Sequence, residues 1–232
     1  MKSQIKTREA IRRMVAIAMF CALAYVAMLV IHIKVMFLTL DVKDAVITLC
    51  GLCFGPLSAL IVSVIVPVFE LAVSSTGYYG LIMNILGSVA FSVTASLIYK
   101  YKKTLWGAVV ALLSGAFVMV AVMLTANLFI TPLFMAANGM TTSTVREMIP
   151  TLLFPFNLLK AITNVGAVLL LYKPTSRGLR RAGFLPRRKA DVETQEEKPK
   201  KRTISVIVSA VAILLIAASM VLIFTVFEGK IS

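Results

Sequence analysis

Apolar residues run through this chain in long blocks separated by short polar segments, a pattern that predicts membrane-spanning helices near 14–31, 43–55, 57–73, 80–99, 105–130, 151–172 and 204–226. Most of these blocks approach the roughly 20 residues that cross a hydrocarbon core of about 30 Å as helix. The second is short and closes on Phe54-Gly55-Pro56, a turn signal that separates it from the third. The first block is long for a cleaved leader and no small-x-small site follows it, so it reads as a permanent helix.

Composition supports this pattern. The 232 residues are 59% hydrophobic and only 15% charged, with a mean hydropathy of +0.94. A soluble domain needs a more charged, wetted surface. The formal net charge of +14 raises the question of nucleic acid, but its distribution points to topology instead. Of 24 basic residues, five precede the first span, three lie between the fourth and fifth, and eleven follow the sixth. Basic residues concentrated in alternate loops place those loops and the N-terminus in the cytoplasm. The polar stretch after the sixth span, including RRKADVETQEEKPKKR, reads as a disordered linker. The expected organisation is a six-helix core over 1–173, a cytoplasmic linker over 174–203, and a seventh span with a short tail over 204–232. That last span carries no ionisable group and reads as a plain anchor.

Polar residues at membrane depth are unevenly placed. Asp41, Lys43 and Asp44 open the second span, Glu70 lies near the end of the third, and Gly77, Gly80 and Asn84 start the fourth. Asn127 lies late in the fifth, and Asn157 and Lys160 fall early in the sixth, with Asn164 deeper. With the N-terminus inside, almost all of these sit in the outer half of the bundle. A charge at the centre of a span costs about 2.5–3.5 kcal/mol on insertion scales, so it is retained where it faces a partner or a cavity. Positions 157, 160 and 164 fall within an arc of about 60° on a helix. They form one stripe, with Pro155 in the first turn, where a missing N–H does least harm. Two readings follow: the groups tie helices together, or they line an outward-opening pocket for a small molecule. Convergence from five helices favours the pocket.

Several chemistries lack their residues. There is no G-x-x-x-x-G-K-[ST] phosphate loop, so the chain is not expected to hydrolyse ATP. No metal-ligating constellation and no catalytic Ser/His/Asp set is legible, and no cofactor is expected. Cys50-Gly-Leu-Cys53 has redox spacing but sits in an apolar span, so it reads as packing. A membrane enzyme using Asp41, Asp44 and Lys160 on a lipid or isoprenoid is the alternative class. Ala18 and Ala22 have the small-xxx-small spacing that lets another helix approach closely.

Four stretches resemble the substrate-binding subunits of energy-coupling factor (ECF) vitamin transporters, most closely the riboflavin-specific members. They are AIAMFCALA, FLTLDVKDAVITLCGLCFGPLSALI, TGYYGLIMNIL, and PFNLLKAITNV following TANLFITPLF, and the resemblance covers about residues 10–180. It implies an all-α integral membrane protein, a six-helix bundle here carrying one extra C-terminal helix, in the plasma membrane of a bacterium. It implies that riboflavin is the transported ligand, held by Asn127, Asn157 and Lys160, with Leu38, Thr39, Leu40 and Asp41 lining and closing the site. Asn84, in the fourth-helix stretch, belongs to the same candidate site. Ala18 and Ala22 would dock on the transmembrane coupling subunit, and two ATP-binding subunits would supply energy. Lys43 stands where the family often has serine, Val46 where it has proline, and Leu81 where an acidic residue is common. These departures keep another vitamin or micronutrient open as the ligand.

Overall fold

The computed structural model describes residues 2–74, 76–136, 139, 141–185 and 199–226. It is mostly helical: α1 (Lys2–Val30), α2 (Lys43–Phe54), α3 (Pro56–Glu70), α4 (Gly77–Tyr101), α5 (Leu105–Met135), α6 (Thr142–Met148), α7 (Phe154–Arg181) and α8 (Pro199–Val226). Among the described residues, four helical stretches have the length and apolarity to cross a membrane: Thr7–Val30, Gly77–Tyr101, Leu105–Phe134 and Thr142–Arg181. The helices α2 and α3, at 12 and 15 residues, are shorter than a span. Large apolar side chains such as Phe117, Phe129 and Leu133 are left exposed on the outside, as lipid contact permits.

An all-helical chain was expected, and one element departs from it. Strands β1 (Ile33–Val35) and β2 (Leu38–Leu40) pair antiparallel between α1 and α2, with Ile33 opposite Leu40 and Val35 opposite Leu38. Three-residue strands are too short to show a period, and the turn is Met36-Phe37 rather than a Gly or Asn pair. Met36 takes a positive φ of 56° even so. Tertiary packing stabilises the hairpin. Val35, Leu38 and Leu40 are buried against Val145, Leu152, Leu153, Phe156 and Leu159.

The short α2 lies at the centre of the bundle, packed against α1, α3, α4 and α7. Most of its length is buried, including Ile47, Leu49 and Cys50. Gly51 is what allows this: a Cβ there would stand 2.0 Å from Ser96 Oγ and 2.7 Å from Ala59 Cβ, so α2, α3 and α4 meet at that residue. Gly55, at φ 97°, then reverses the chain, and Pro56 starts α3 where its missing N–H is harmless.

The sixth predicted span begins earlier and ends later than expected. The helix starts at Thr142, capped by Thr141 Oγ1 accepting from Thr144 N–H at 3.3 Å. It widens into a π-helical turn over Ile149–Leu153 and continues as α7 to Arg181, past the expected end at 172. Pro150 inside that turn and Pro155 just after it remove two N–H donors, a local cause for the widened spacing. Of the expected linker, residues 186–198 lie outside the described residues.

The C-terminal helix is not a plain anchor. Its Ala212 and Ser219 are buried against α7, where Thr163 Oγ1 and Ser219 Oγ share a 2.7 Å hydrogen bond. The crossing is close because Gly166 offers no side chain to Ala212 and Ile216.

Candidate functional site

The start of α2 gathers the buried charge. Its first N–H groups have no helical partner. Asp41 Oδ1 accepts from Lys43 N–H at 3.1 Å, and Asn164 Oδ1, from α7, accepts from Ala45 N–H at 2.8 Å. Asn164 also donates to the carbonyls of Asp41 (3.4 Å) and Lys160 (3.0 Å). The stripe on α7 thus docks directly onto the start of α2, and Asn164 serves as a helix–helix contact.

Around this junction lie three carboxylates and two ammonium groups. Lys160 Nζ donates to Asp41 Oδ2 at 3.1 Å and to the Thr39 carbonyl of β2 at 3.1 Å, and lies 3.9 Å from Asp44 Oδ2. Lys43 Nζ bridges Asp41 Oδ2 (3.2 Å) and Glu70 Oε2 of α3 (2.6 Å). Asp44 also accepts from Ser88 of α4. Asp41, Lys43 and Asp44 are essentially inaccessible, and Glu70 and Lys160 are only 5% and 7% exposed. Such charges are tolerable in a dry interior only because each meets an opposite charge and further hydrogen bonds. The network therefore holds α2, α3, α4, α7 and β2 together. Of the three acids, Glu70 pairs with Lys43, and Lys160 meets Asp41 and Asp44. Ser88 was not singled out, although its spacing with Ser92 and Ser96 places three hydroxyls on one face of α4.

A second polar group lies on α4 and α5. The amide of Asn127 donates to Met123 O at 2.8 Å and accepts from Thr131 (3.0 Å) and Tyr79 (3.5 Å). Its oxygen and one of its two amide hydrogens are bonded within the protein. Tyr79 also meets Phe37 of the hairpin turn, ring centroids 6.4 Å apart. Phe37 packs on both the Tyr79–Met83–Ala126 cluster and the cluster beside α6 and α7. The hairpin therefore spans one end of the bundle, above the ion network.

Two amides differ from the rest. Asn157, 1% exposed, donates to Leu153 O at 2.8 Å, but its oxygen meets no partner among the described residues. Asn84, half-buried, has no hydrogen-bond partner among them. Asn157 lies about one turn from Lys160, and Asn84 one turn from Ser88, both toward the hairpin. Lys160 and Ser88 themselves meet on the two oxygens of Asp44. The two amides thus lie about one turn from the ion network, on α7 and α4.

Leu38 and Leu40 are buried in the hairpin's apolar face, while Thr39 contributes its carbonyl to Lys160. Ala18 and Ala22 lie exposed on α1, turned away from the buried Ala16, Phe20 and Ala24. A cavity of about 550 Å³ lies elsewhere, between α1, α2 and α7, lined by Phe20, Leu23, Val46, Leu49, Leu171 and Leu179 among others. None of the expected site residues borders it. Among the described residues no three His, Cys, Asp or Glu side chains converge as a metal site. Cys50 is packed in the core.

The architecture is a helical membrane bundle with polar groups gathered under a hairpin at one end. Residues 12–172 match the family described as ECF transporter, substrate-specific component, and the chain belongs to that family. It is 27% identical over 176 residues to the riboflavin transporter RibU of Staphylococcus aureus (strain TCH60), covering 73% of this chain and 93% of that protein. It also resembles the solved S component of a bacterial ECF transporter, at 27% identity and a TM-score of 0.60. That match covers 72% of this chain and 96% of the other. The protein is therefore a multi-pass membrane subunit of a transporter. Members of its family bind their vitamin and work with transmembrane and ATPase modules, and the family is not one of enzymes.

Proposed function

We propose that this chain is the riboflavin-binding subunit of an ECF importer, taking the vitamin from outside a bacterial cell and passing it inward when coupled to ATP-driven partners. The observation that carries the reading is the pair of amides, Asn84 and Asn157, left with hydrogen-bonding capacity beside a network that is otherwise satisfied. Two such groups facing one level of a bundle are what a polar, uncharged heterocycle would pair with. A flavin ring offers both donors and acceptors, and Lys160, held by Asp41 and 3.9 Å from Asp44, brings an ammonium beside them. The likeness to RibU across nearly all of its length supports riboflavin over other vitamins.

In this reading the six-helix core spans the membrane with α2 and α3 as short members, α8 adds a seventh crossing, and the N-terminus is cytoplasmic. The hairpin residues Leu38 to Asp41 close over the ligand, Asn127 and Lys160 contribute from α5 and α7, and Ala18 and Ala22 face the coupling subunit, with two ATP-binding subunits completing the transporter. Protein purified from a flavin-replete host should be yellow and show a flavin absorption spectrum. A colourless protein that takes up no added riboflavin would overturn the ligand. A melting-temperature rise with a different vitamin would reassign it.

A further inference from the structure

The family match ends at residue 172, and α8 begins at Pro199. The contacts of α8 are made with the helix that carries the ligand stripe. Thr163 lies between Lys160 and Gly166 on α7, and its hydroxyl meets Ser219 Oγ at 2.7 Å. Each hydroxyl also reaches a carbonyl of its own helix, Thr163 to Leu159 O and Ser219 to Ile216 O, both at 2.8 Å. One hydroxyl donates across the interface while the other donates to its carbonyl, so the pair is satisfied in either direction. One turn along, a Cβ on Gly166 would come within 2.9 Å of Ile216 Cγ1 and 3.1 Å of the Ala212 carbonyl. Ile216 packs into the main core, and Met220 packs onto the apolar cluster that holds the hairpin. Thr163 and Gly166 on α7 thus meet Ala212, Ile216 and Ser219 on α8 along one seam, as small residues and hydroxyls do in membrane helix pairs.

The neighbouring face of α7 carries the polar stripe. From the same helix Lys160 reaches Asp41 at 3.1 Å and the Thr39 carbonyl of the hairpin at 3.1 Å, and Asn164 accepts from Ala45 N–H of α2 at 2.8 Å. A helix is stiff, so displacing one face displaces the other.

We propose that α8 is a built-in brace whose seam at Thr163 and Gly166 positions the Asn157–Lys160–Asn164 face of α7 for ligand. Its effect on affinity rests on the riboflavin reading above; its effect on α7 does not. Gly166, Thr163, Ile216 and Ser219 are then positioning residues that never touch the vitamin.

The test turns on a sign. In a helix interior, replacing Gly with Ala ordinarily stabilises. If α8 braces α7, Gly166→Ala in the full chain should instead lower the melting temperature, weaken riboflavin binding about tenfold, and speed amide exchange over residues 41–49, where Asn164 caps Ala45. Adding Ile216→Ala should recover most of both losses, because it removes the nearest obstructing atom. If Gly166→Ala raises the melting temperature and leaves affinity and exchange unchanged, the brace is refuted. Should Gly166→Ala fail to fold, Ser219→Ala serves, with a severalfold loss of affinity and faster exchange expected, and no change in either refuting the proposal. If the unaltered chain binds no riboflavin, the ligand reading fails alone, and exchange over 41–49 still decides the brace.

Discussion

Lys43 links two carboxylates at the start of α2. Its ammonium lies 2.6 Å from Glu70 and 3.2 Å from Asp41, with Lys43 wholly buried and Glu70 5% exposed. Lys43→Met leaves Glu70 without a counter-charge, while Asp41 keeps Lys160 at 3.1 Å. Removing one partner of a buried pair costs about 3–5 kcal/mol, most of it the penalty of the stranded charge. Glu70→Gln leaves Lys43 its bond to Asp41 and a neutral acceptor, so it should cost less, about 1.5–3 kcal/mol. With both replaced, no charge is stranded, and the double variant should fall short of the sum of the singles by about 1–3 kcal/mol. For a chain of this size each kcal/mol moves a melting temperature by roughly 2–4 °C, so Lys43→Met alone should lower it by roughly 6–20 °C. Heating the detergent-solubilised protein with a thiol-reactive fluorophore, with the partly exposed Cys21 and Cys53 replaced by Ala throughout, reads this out, since Cys50 is fully buried until the bundle opens. Additivity of the two single shifts, or a neutral Lys43→Met, would refute the network as drawn.

Other consequences can be measured on the same preparations. Asn157→Ala, which forfeits only a bond to its own helix, should weaken riboflavin binding by about 1–3 kcal/mol with little change in melting temperature, as followed by flavin fluorescence quenching. Asn127→Ala should lower both, because Tyr79, Thr131 and the Met123 carbonyl all use that amide. Gly51→Ala should destabilise by about 1–3 kcal/mol through overpacking against Ser96 and Ala59, and Ser96→Gly in the same chain should restore part of the loss in a thermal melt. Ala18→Leu lies on an exposed face, so melting and riboflavin binding should be unchanged while co-purification with the coupling subunit is lost.

The membrane class, the positions of the long helices and the polar stripe on α7 were all legible from periodicity. A bilayer imposes length and apolarity on every span regardless of its neighbours, and helical spacing alone puts 157, 160 and 164 on one face. The same logic singled out Asp41, Asp44, Glu70 and Lys160, because an ionisable group at that depth is too costly to be incidental. Which of them pair was not legible. Lys160 could have met any of the three acids, and only the crossing of α2 with α3 and α7 gives Glu70 to Lys43 and Asp41 to both lysines.

The hairpin over 33–40 and the packing of α8 share that dependence on partners. Ile33–Val35 and Leu38–Leu40 are too short to carry a pattern, and they pair because Leu152, Leu153 and Phe156 bury their apolar face. The last helix reads as an anchor on composition, since nothing in its own apolar run distinguishes lipid from protein as its surroundings. That difference lies in Gly166, more than thirty residues upstream of α8, whose missing Cβ lets the two backbones approach. Solvent and bilayer constraints act on each residue separately and so can be read along the chain; close packing and ion pairing belong to pairs of residues, and only the assembled bundle chooses the pairs.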